Sequence, residues 1–250
     1  MKNKIFAISG VILMILCNAA FASENEIVIP LKTKYAPKER EVILGSDTSH
    51  SGTQDKWTSS LEVEYSFFDP IEFDFELPFV NRFPKSSDNQ SGIGDIETAI
   101  KAFYSKEDLN FYLAGGIEAT WPTGNTTKDL GEGLTEVGPF IAVAKGVGAL
   151  SLLGDFSYER VVNVRGEEAQ EAKKNSYKVD AALAYTFPFG LSPLLEVNSH
   201  FAKEKIVLMT PGLIYAFSDR FQTRAGVQVP VTKDEEFNWK AVFQLLYDFD

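Results

Sequence analysis

The chain has 250 residues, carries a formal net charge of −11 and contains a single cysteine, Cys17. A chain this acidic repels nucleic-acid phosphates, which argues against DNA or RNA as a partner. One cysteine forms no disulfide within its own chain, so the fold must rely on packing and backbone hydrogen bonds.

The N-terminus has the composition of a secretory signal peptide. Two lysines give a positive start, residues 5–16 form a mostly apolar run, and Ala20 and Ala22 supply the small-x-small pattern of a cleavage site. The apolar run covers only about a dozen residues, whereas a membrane-spanning helix needs about 20. We therefore expect cleavage after Ala22 and export of the remaining chain.

A lipoprotein is the other interpretation of this region. A lipid-modified cysteine follows a small residue, but Cys17 follows Leu16, so the cleaved signal peptide is the better interpretation. We expect a signal peptide at 1–22, a periplasmic N-terminal segment at 23–38 and one transmembrane β-barrel at 39–250.

After the signal peptide, the apolar residues follow a period of two. Ile71, Phe73 and Phe75, for example, alternate with Glu72 and Asp74. Successive side chains of a β-strand point to opposite faces, so such a segment has one apolar and one polar face. Aromatic and β-branched residues fill the apolar face, as strands favour. The same alternation occurs in 61–67, 221–229 and 237–249.

Two features favour a membrane barrel over a soluble β-sandwich. The alternating segments run about 9–12 residues, which crosses a bilayer when tilted, whereas globular strands average about half that length. In the last segment, Phe237 and Trp239 lie at one end of the apolar row, and Tyr247 and Phe249 lie at the other, as in interfacial girdles. The sequence predicts an all-β fold, an antiparallel transmembrane β-barrel.

The connections suggest how the barrel is oriented. Short and long links alternate along the chain, except for a short link at 203–205. Barrels with both termini in the periplasm have short periplasmic turns and long external loops, so we expect the outer membrane of a Gram-negative bacterium. The first strand has the weakest pattern, and without it the count would be odd. The twelve predicted strands are 39–45, 57–67, 71–79, 94–104, 109–121, 135–144, 150–160, 176–187, 191–202, 206–217, 220–229 and 237–249.

The polar faces of the strands turn toward the lumen, where a solute path would run. One interpretation is a solvated wall in which acids and bases pair. The other is a water-filled path that prefers cations, because acidic rings lower the barrier for positive solutes. Glu72, Asp74 and Glu76 favour the second, because three unpaired carboxylates on consecutive inward positions repel one another unless a base or a solute cation lies opposite. The predicted lumen residues are Glu62, Glu64, Glu72, Asp74, Glu76, Glu97, Lys101, Glu118, Lys178, Asp180, Arg224 and Lys240, and Asp155, Glu159 and Glu196 share their parity.

The sequence offers little for catalysis. His50 lies in a polar loop, where we expect it to be solvated. Ser199 and His200 are adjacent on a strand and face opposite ways, so they do not form a nucleophile–base pair. No spacing typical of a metal site occurs, and Gly131-x-Gly133 lacks the helix that a phosphate-binding loop needs. We expect no enzyme activity, no metal and no cofactor.

Four short motifs occur in order between residues 76 and 140. They read Glu-Leu-Pro-Phe-Val, Gly-Ile-Gly-Asp, Trp-Pro-Thr-Gly, and Gly-x-Gly followed by Val-Gly-Pro. Together they resemble the outer-membrane transporters grouped under the meta-pathway of phenol degradation, and the resemblance covers roughly residues 57–250. It implies a β-barrel with a transport role, although no residue points to phenol itself. The motif residues are Pro78, Gly92, Gly94, Asp95, Pro122, Thr123, Gly124, Gly138 and Pro139.

The motif glycines and prolines fit barrel corners better than solute contacts, because they lie at strand ends and in loops. The chain departs from the family pattern in its polar segment 23–38 and in its C-terminus, where the final aromatic, Phe249, is penultimate.

Two functional classes follow from this sequence. The first is a channel or facilitator for small solutes, with outer-membrane lipids, a small-molecule solute and the barrel-assembly machinery as partners. The alternative is a closed structural or ligand-binding barrel that acts through its external loops.

Overall fold

The computed structural model describes residues 27–165, 175–202, 205–232 and 237–249. The expected signal peptide, with Ala20 and Ala22, lies outside the described residues. Within the described ranges, no helix is both long enough and apolar enough to cross a membrane.

Strands dominate the described chain, with short 3₁₀ turns at Glu107–Leu109 and Thr126–Lys128. The strands are β1 Arg40–His50, β2 Gln54–Phe68, β3 Ile71–Pro84, β4 Gln90–Ile93, β5 Ile96–Lys106, β6 Phe111–Trp121, β7 Leu134–Val147, β8 Leu150–Val164, β9 Asn175–Tyr185, β10 Leu191–Phe201, β11 Lys205–Ser218, β12 Phe221–Pro230 and β13 Trp239–Asp248.

The sheet closes on itself as a twelve-stranded antiparallel barrel, which confirms the predicted fold. Apart from β4 and β5, each strand pairs with its neighbours in sequence, and β1 closes the ring by pairing with both β2 and β13. The short β4 and the long β5 occupy one position in the ring, because both pair with β3, at 79–82 and 71–76 respectively. Closure pairs both edges of the long strands of the described residues, as a lipid-embedded sheet requires, and the short β4 pairs with β3 alone.

Several strands extend further toward the long loops than the sequence predicts. β1 continues to His50, and Ser46 to Ser49 pair on both sides with β2 and β13. These residues are polar on both faces, so they carry no alternation for the sequence to reveal. The predicted strand 94–104 is interrupted, because Gly94 and Asp95 separate β4 from β5.

The outer surface has the apolar row and aromatic ends of a lipid-facing barrel. Trp239 and Tyr247 are on it, at 39% and 42% exposure. Phe249 stacks on Tyr65 at the turn end, with ring centroids 5.9 Å apart. Phe237 lies elsewhere than expected: it precedes β13 and lines a pocket at the loop-side mouth. Most other exposed aromatic residues lie near a strand end: Trp57, Phe79, Phe83, Trp121, Tyr177 and Phe201 toward the loops, and Phe67, Phe68, Tyr104, Tyr185, Phe217 and Phe221 toward the turns. Phe156 and Phe243 are exposed in the middle of their strands.

Residues 27–39, which we call the N-terminal segment, lie inside the barrel rather than in the periplasm. Ile27 and Leu31 are buried in the same cluster as a row of small inner-wall residues. Burial of each of these two side chains contributes about 1.5–3 kcal/mol. The small wall residues leave room for the segment in the turn-side half of the lumen, and they are Ala114, Ala142, Ala144, Ala182 and Ala184.

Candidate functional site in the barrel lumen

Charged wall residues hold the backbone of the N-terminal segment. The fully buried Glu196 carboxylate accepts hydrogen bonds from the N–H groups of Leu31 (2.5 Å) and Lys32 (3.0 Å). Asp155 accepts one from the N–H of Lys34 at 2.9 Å. Bonds from charged groups to backbone are stronger than neutral ones, about 1.5–3 kcal/mol each. The segment is therefore fixed to strands far away in sequence.

Arg224, two strands further round the barrel on β12, also anchors the segment. Its Nη1 donates to the carbonyl of Pro30 at 2.5 Å, and its Nη2 lies 3.6 Å from Glu41 Oε1. Arg224 and Glu41 are both buried. Arg224 thus acts as a support for the N-terminal segment.

Lys101 forms a buried clasp at the base of the segment. Its Nζ lies 2.6 Å from Glu72, 3.2 Å from Glu39 and 3.8 Å from Glu64, and it also donates to the carbonyl of Tyr35 at 3.2 Å. The N–H of Glu39 donates to Glu72 Oε2 at 2.8 Å.

The contacts around Lys101 correct the prediction made for Glu72, and the surroundings of Glu39 shift its pKa. Glu72 is ion-paired with Lys101, so the prediction of three unpaired carboxylates at Glu72, Asp74 and Glu76 is wrong for Glu72. Burial raises the pKa of Glu39 well above its ordinary value, and the neighbouring Glu64 carboxylate adds to the rise. Glu39 precedes β1 and belongs to the N-terminal segment.

The loop-side half of the lumen contains a cavity of about 560 Å³, which we call the vestibule. Glu62, Glu76 and Glu97 line it and face one another across adjacent strands. Adjacent strands are about 4.8 Å apart, so the three side chains form a row of about 10 Å. No basic group of the described residues lies within 4.0 Å of these three carboxylates.

The lysines of the vestibule are engaged elsewhere. Lys32 Nζ lies 3.1 Å from Asp47, and Lys34 Nζ lies 2.5 Å from Glu118. Lys178 pairs with Glu159. The excess negative charge of the vestibule therefore lies on the wall formed by β2, β3 and β5.

Lys240 and Asp180 complete the vestibule wall. Lys240 Nζ lies 4.7 Å from the ring centroid of Phe237, which is a cation–π distance. Asp180 accepts a hydrogen bond from the N–H of Ser199 at 3.0 Å.

All twelve predicted lumen residues face the interior, where some line the vestibule and others surround the N-terminal segment. Those that line the vestibule are Glu62, Glu76, Glu97, Glu118, Lys178, Asp180 and Lys240. Those around the N-terminal segment are Glu64, Glu72, Asp74, Lys101 and Arg224.

Three residues that line the vestibule were not predicted from the sequence: Lys32, Lys34 and Asp47. Each was placed outside the barrel strands, and no local pattern marks them as lumen residues.

Two other expectations concern histidines. His50 is part of β1, with Nδ1 2.5 Å from Asp55 Oδ1 and its ring stacked on Trp239, so the expected loop position is wrong, while its side chain is 40% exposed to solvent. His200 lines the vestibule near Ser199, and no hydrogen bond joins these two among the described residues.

Hydrogen bonds of Asp95 and Thr123 involve four of the nine motif residues, namely Gly94, Asp95, Thr123 and Gly124. Its carboxylate accepts hydrogen bonds from the N–H groups of Gly124 (2.8 Å) and Glu132 (2.7 Å). Thr123 Oγ1 donates to the carbonyl of Gly94 at 2.7 Å and accepts from the N–H of Ile96 at 3.0 Å. These bonds hold the loop 122–133 onto the break between β4 and β5.

At two further motif positions, a neighbouring residue lies very close to the glycine backbone. A Cβ on Gly138 would lie 1.6 Å from the carbonyl oxygen of Tyr158, so only glycine fits between β7 and β8 there. Gly94 lies within 3.1 Å of Pro78 by the same measure. The contacts of these motif residues therefore stabilise strand ends and a loop.

The sequence comparison gives the family. The profile described as "Putative MetA-pathway of phenol degradation" matches residues 46–238, which is more than half of the chain. The chain belongs to this family. A comparison with curated proteins found no match.

Solved structures share the fold of this family member. An outer membrane channel from Pseudomonas putida F1 is 17% identical with a TM-score of 0.71, and the match covers 89% of this chain and 100% of that one. The KdgM porin is 10% identical with a TM-score of 0.60, covering 84% and 99%. The NanC porin is 9% identical with a TM-score of 0.58, also covering 84% and 99%. At these identities the likeness establishes a porin-type barrel fold.

Proposed function

We propose that this protein is an outer-membrane channel or facilitator for small solutes that prefers cations. The observation that carries the proposal is the row Glu62, Glu76 and Glu97 in the vestibule, with no basic group of the described residues within 4.0 Å. An acidic wall in a water-accessible cavity concentrates positive solutes and repels negative ones.

The N-terminal segment sets the size of what passes. It occupies the turn-side half of the lumen, held by Glu196, Arg224 and Lys101. A solute that enters the vestibule from the loop side meets this segment before it reaches the short turns. The proposed solutes are therefore small.

The proposed location is the outer membrane of a Gram-negative bacterium. The apolar outer face with its two aromatic rows suits a lipid environment. Its proposed partners are the lipids of that membrane, the transported solute and the barrel-assembly machinery. The proposal involves no catalytic step and no cofactor.

Flux measurements in liposomes test the proposal. We expect the reconstituted protein to pass a small organic cation faster than neutral or anionic solutes of equal size. Replacement of the vestibule row by glutamine, Glu62→Gln with Glu76→Gln and Glu97→Gln, should remove most of this preference. Glu107→Gln makes the same change on an exposed turn and serves as the matched control. Equal cation and anion flux in the unmodified protein would contradict the proposal.

The filled turn-side half of the lumen favours a second candidate. A barrel that the N-terminal segment closes completely would be a structural or ligand-binding protein acting through its external loops. The loop 122–133, fixed by Asp95, would then be a candidate contact surface. A correctly folded protein that passes no solute in the flux measurement would support this alternative.

A further inference from the structure

The vestibule wall that faces the acidic row of Glu62, Glu76 and Glu97 carries neutral polar side chains. Those that line the cavity are Asn198 and His200 on β10 and Gln228 on β12. In the ring of twelve strands, β10 is six positions from β3, the central strand of the acidic row. Because six positions are half of the ring, the β10 wall lies opposite the acidic row across the lumen.

The strand register also places the two walls at the same height. Paired residues followed from Glu76 through β5, β6, β7, β8 and β9 lead past the loop-side end of β10. Followed the other way, through β2, β1, β13, β12 and β11, they lead past its turn-side end. Because the strands of a barrel are tilted, the part of β10 level with Glu76 lies midway between these ends. Asn198 belongs to that part of the strand.

The gap between the two walls suits a small organic molecule. Twelve strands that are about 4.8 Å apart and tilted by about 40° form a barrel about 24 Å across, and side chains from both walls leave roughly 10–15 Å between their ends. The cavity volume of about 560 Å³ lies in the range of small-molecule sites.

Two polar atoms on the β10 wall have no hydrogen-bond partner among the described residues. These buried atoms are Asn198 Nδ2 and His200 Nε2. Asn198 is only 9% exposed, and its Oδ1 accepts from Gln228 Nε2 at 3.4 Å, so its Nδ2 remains to donate. Asn198 and His200 are two positions apart and therefore lie on the same face of the strand. A buried polar atom without a partner is unfavourable, and a ligand that pairs with it removes that cost.

The charges of the two walls define the chemistry of the ligand. An ammonium group fits the acidic row. A carboxylate does not fit the β10 wall, because Asp180 is the register partner of Asn198, and Lys178, the register partner of His200, already pairs with Glu159. A hydroxyl fits this wall, because it both donates and accepts and so pairs with an amide N–H and with either tautomer of an imidazole.

We propose that the solute of this channel is a hydroxylated organic amine of about the size of an amino sugar. Its ammonium group binds the acidic row, and its hydroxyls bind Asn198 and His200. A hydrogen bond of about 3 Å at each end leaves roughly 4–9 Å between the ammonium nitrogen and the bound hydroxyl, which one sugar ring spans. This inference rests on the proposed function and names its substrate class. Asn198 and His200 thus determine specificity among cations.

Saturation-transfer NMR of the folded protein in detergent micelles measures the binding directly, with protein-free micelles as the blank. Three probes separate charge from hydroxyls at a mildly acidic pH: glucosamine, piperidinium (a ring ammonium without hydroxyls) and glucose (the hydroxylated ring without charge). We expect glucosamine to bind at least about fivefold more tightly than either of the others, which corresponds to about 1 kcal/mol.

Substitutions on the β10 wall test the residues themselves. Asn198→Leu keeps the size of the side chain and removes the amide, so it should weaken glucosamine binding about fivefold, or about 1 kcal/mol, and leave piperidinium binding unchanged. His200→Phe removes Nε2 and should act in the same direction. Asn175→Leu makes the same change on the exposed outer face of β9 and is the matched control.

Three results would overturn the proposal. One is glucosamine that binds no more tightly than piperidinium, which would mean that the neutral wall contributes nothing. Another is glucose that binds as tightly as glucosamine, which would exclude the acidic row. The third is an equal loss of both amines in the β10 variants, which would indicate a general disturbance of the lumen. If Asn198→Leu does not fold, His200→Phe decides the matter. This binding is measured without flux, so a protein that passes cations but does not distinguish these probes contradicts this inference alone.

Discussion

Replacement of Lys101 by methionine tests whether the N-terminal segment is held by a buried ion pair. The Lys101 side chain is 4% exposed and the Glu72 side chain is fully buried, with 2.6 Å between the charged atoms. Glu39 and Glu64 lie within 3.8 Å of the same ammonium, and it also donates to the carbonyl of Tyr35. Removing one partner of a buried pair leaves uncompensated charge and costs about 3–5 kcal/mol. We expect Lys101→Met to lower the free energy of unfolding by that amount.

Urea unfolding in lipid vesicles, followed by tryptophan fluorescence in calcium-free buffer, measures this loss. Lys32→Met is the matched control, because its pair with Asp47 is about 30% exposed on each side chain (32% and 26%) and such pairs contribute about 0–1 kcal/mol. Adding Glu72→Gln to Lys101→Met should restore about 1 kcal/mol or more, since the two residues are in contact. A loss below about 1 kcal/mol for Lys101→Met would refute the buried clasp.

Two further predictions concern packing, and both are measured by the same unfolding assay. Ala182→Leu should destabilise the barrel by about 1–3 kcal/mol, because Ala182 packs in the inner cluster and overpacking is costly. Ala181 faces the exposed outer surface, so the control Ala181→Leu should cost little. Equal effects of the two substitutions would contradict the packed lumen. Gly131→Ala should destabilise the barrel by about 1–3 kcal/mol and speed proteolysis within 122–133. The new Cβ would lie 2.4 Å from the Asp95 carboxylate and would displace that carboxylate from its two N–H donors. Gly52→Ala meets nothing within 4 Å and serves as the control; unchanged proteolysis in Gly131→Ala would count against the loop anchor.

The sequence predicts the barrel well because lipid constrains every second residue of each strand. Alternation located all twelve strands and turned the twelve lumen residues inward. It failed at Ser46 to Ser49, where both faces are polar, and at Gly94–Asp95, where hydrogen bonds to a distant loop break the strand. Phe237 was misplaced because parity holds only within a strand, and Phe237 precedes β13.

The contents of the lumen could not be predicted in the same way. Leu31 is held by Glu196, which is 165 residues away in the chain, and no local pattern encodes such a contact. The inner alanines do indicate that the lumen is filled, because a run of small inward residues leaves space that another segment must occupy. The pairing of Glu72 with Lys101 depends on barrel register, which alternation does not give.

The reversal potential of single channels in asymmetric KCl tests the central claim, an acid-lined passage for small cations, most directly. The refolded protein without residues 1–22, in a planar bilayer, should give small discrete conductance steps, with a reversal potential displaced toward that of K⁺. Glutamine at Glu62, Glu76 and Glu97 together should move that potential toward zero. A reversal potential displaced toward that of Cl⁻, or a folded protein that gives no conductance, would contradict the claim.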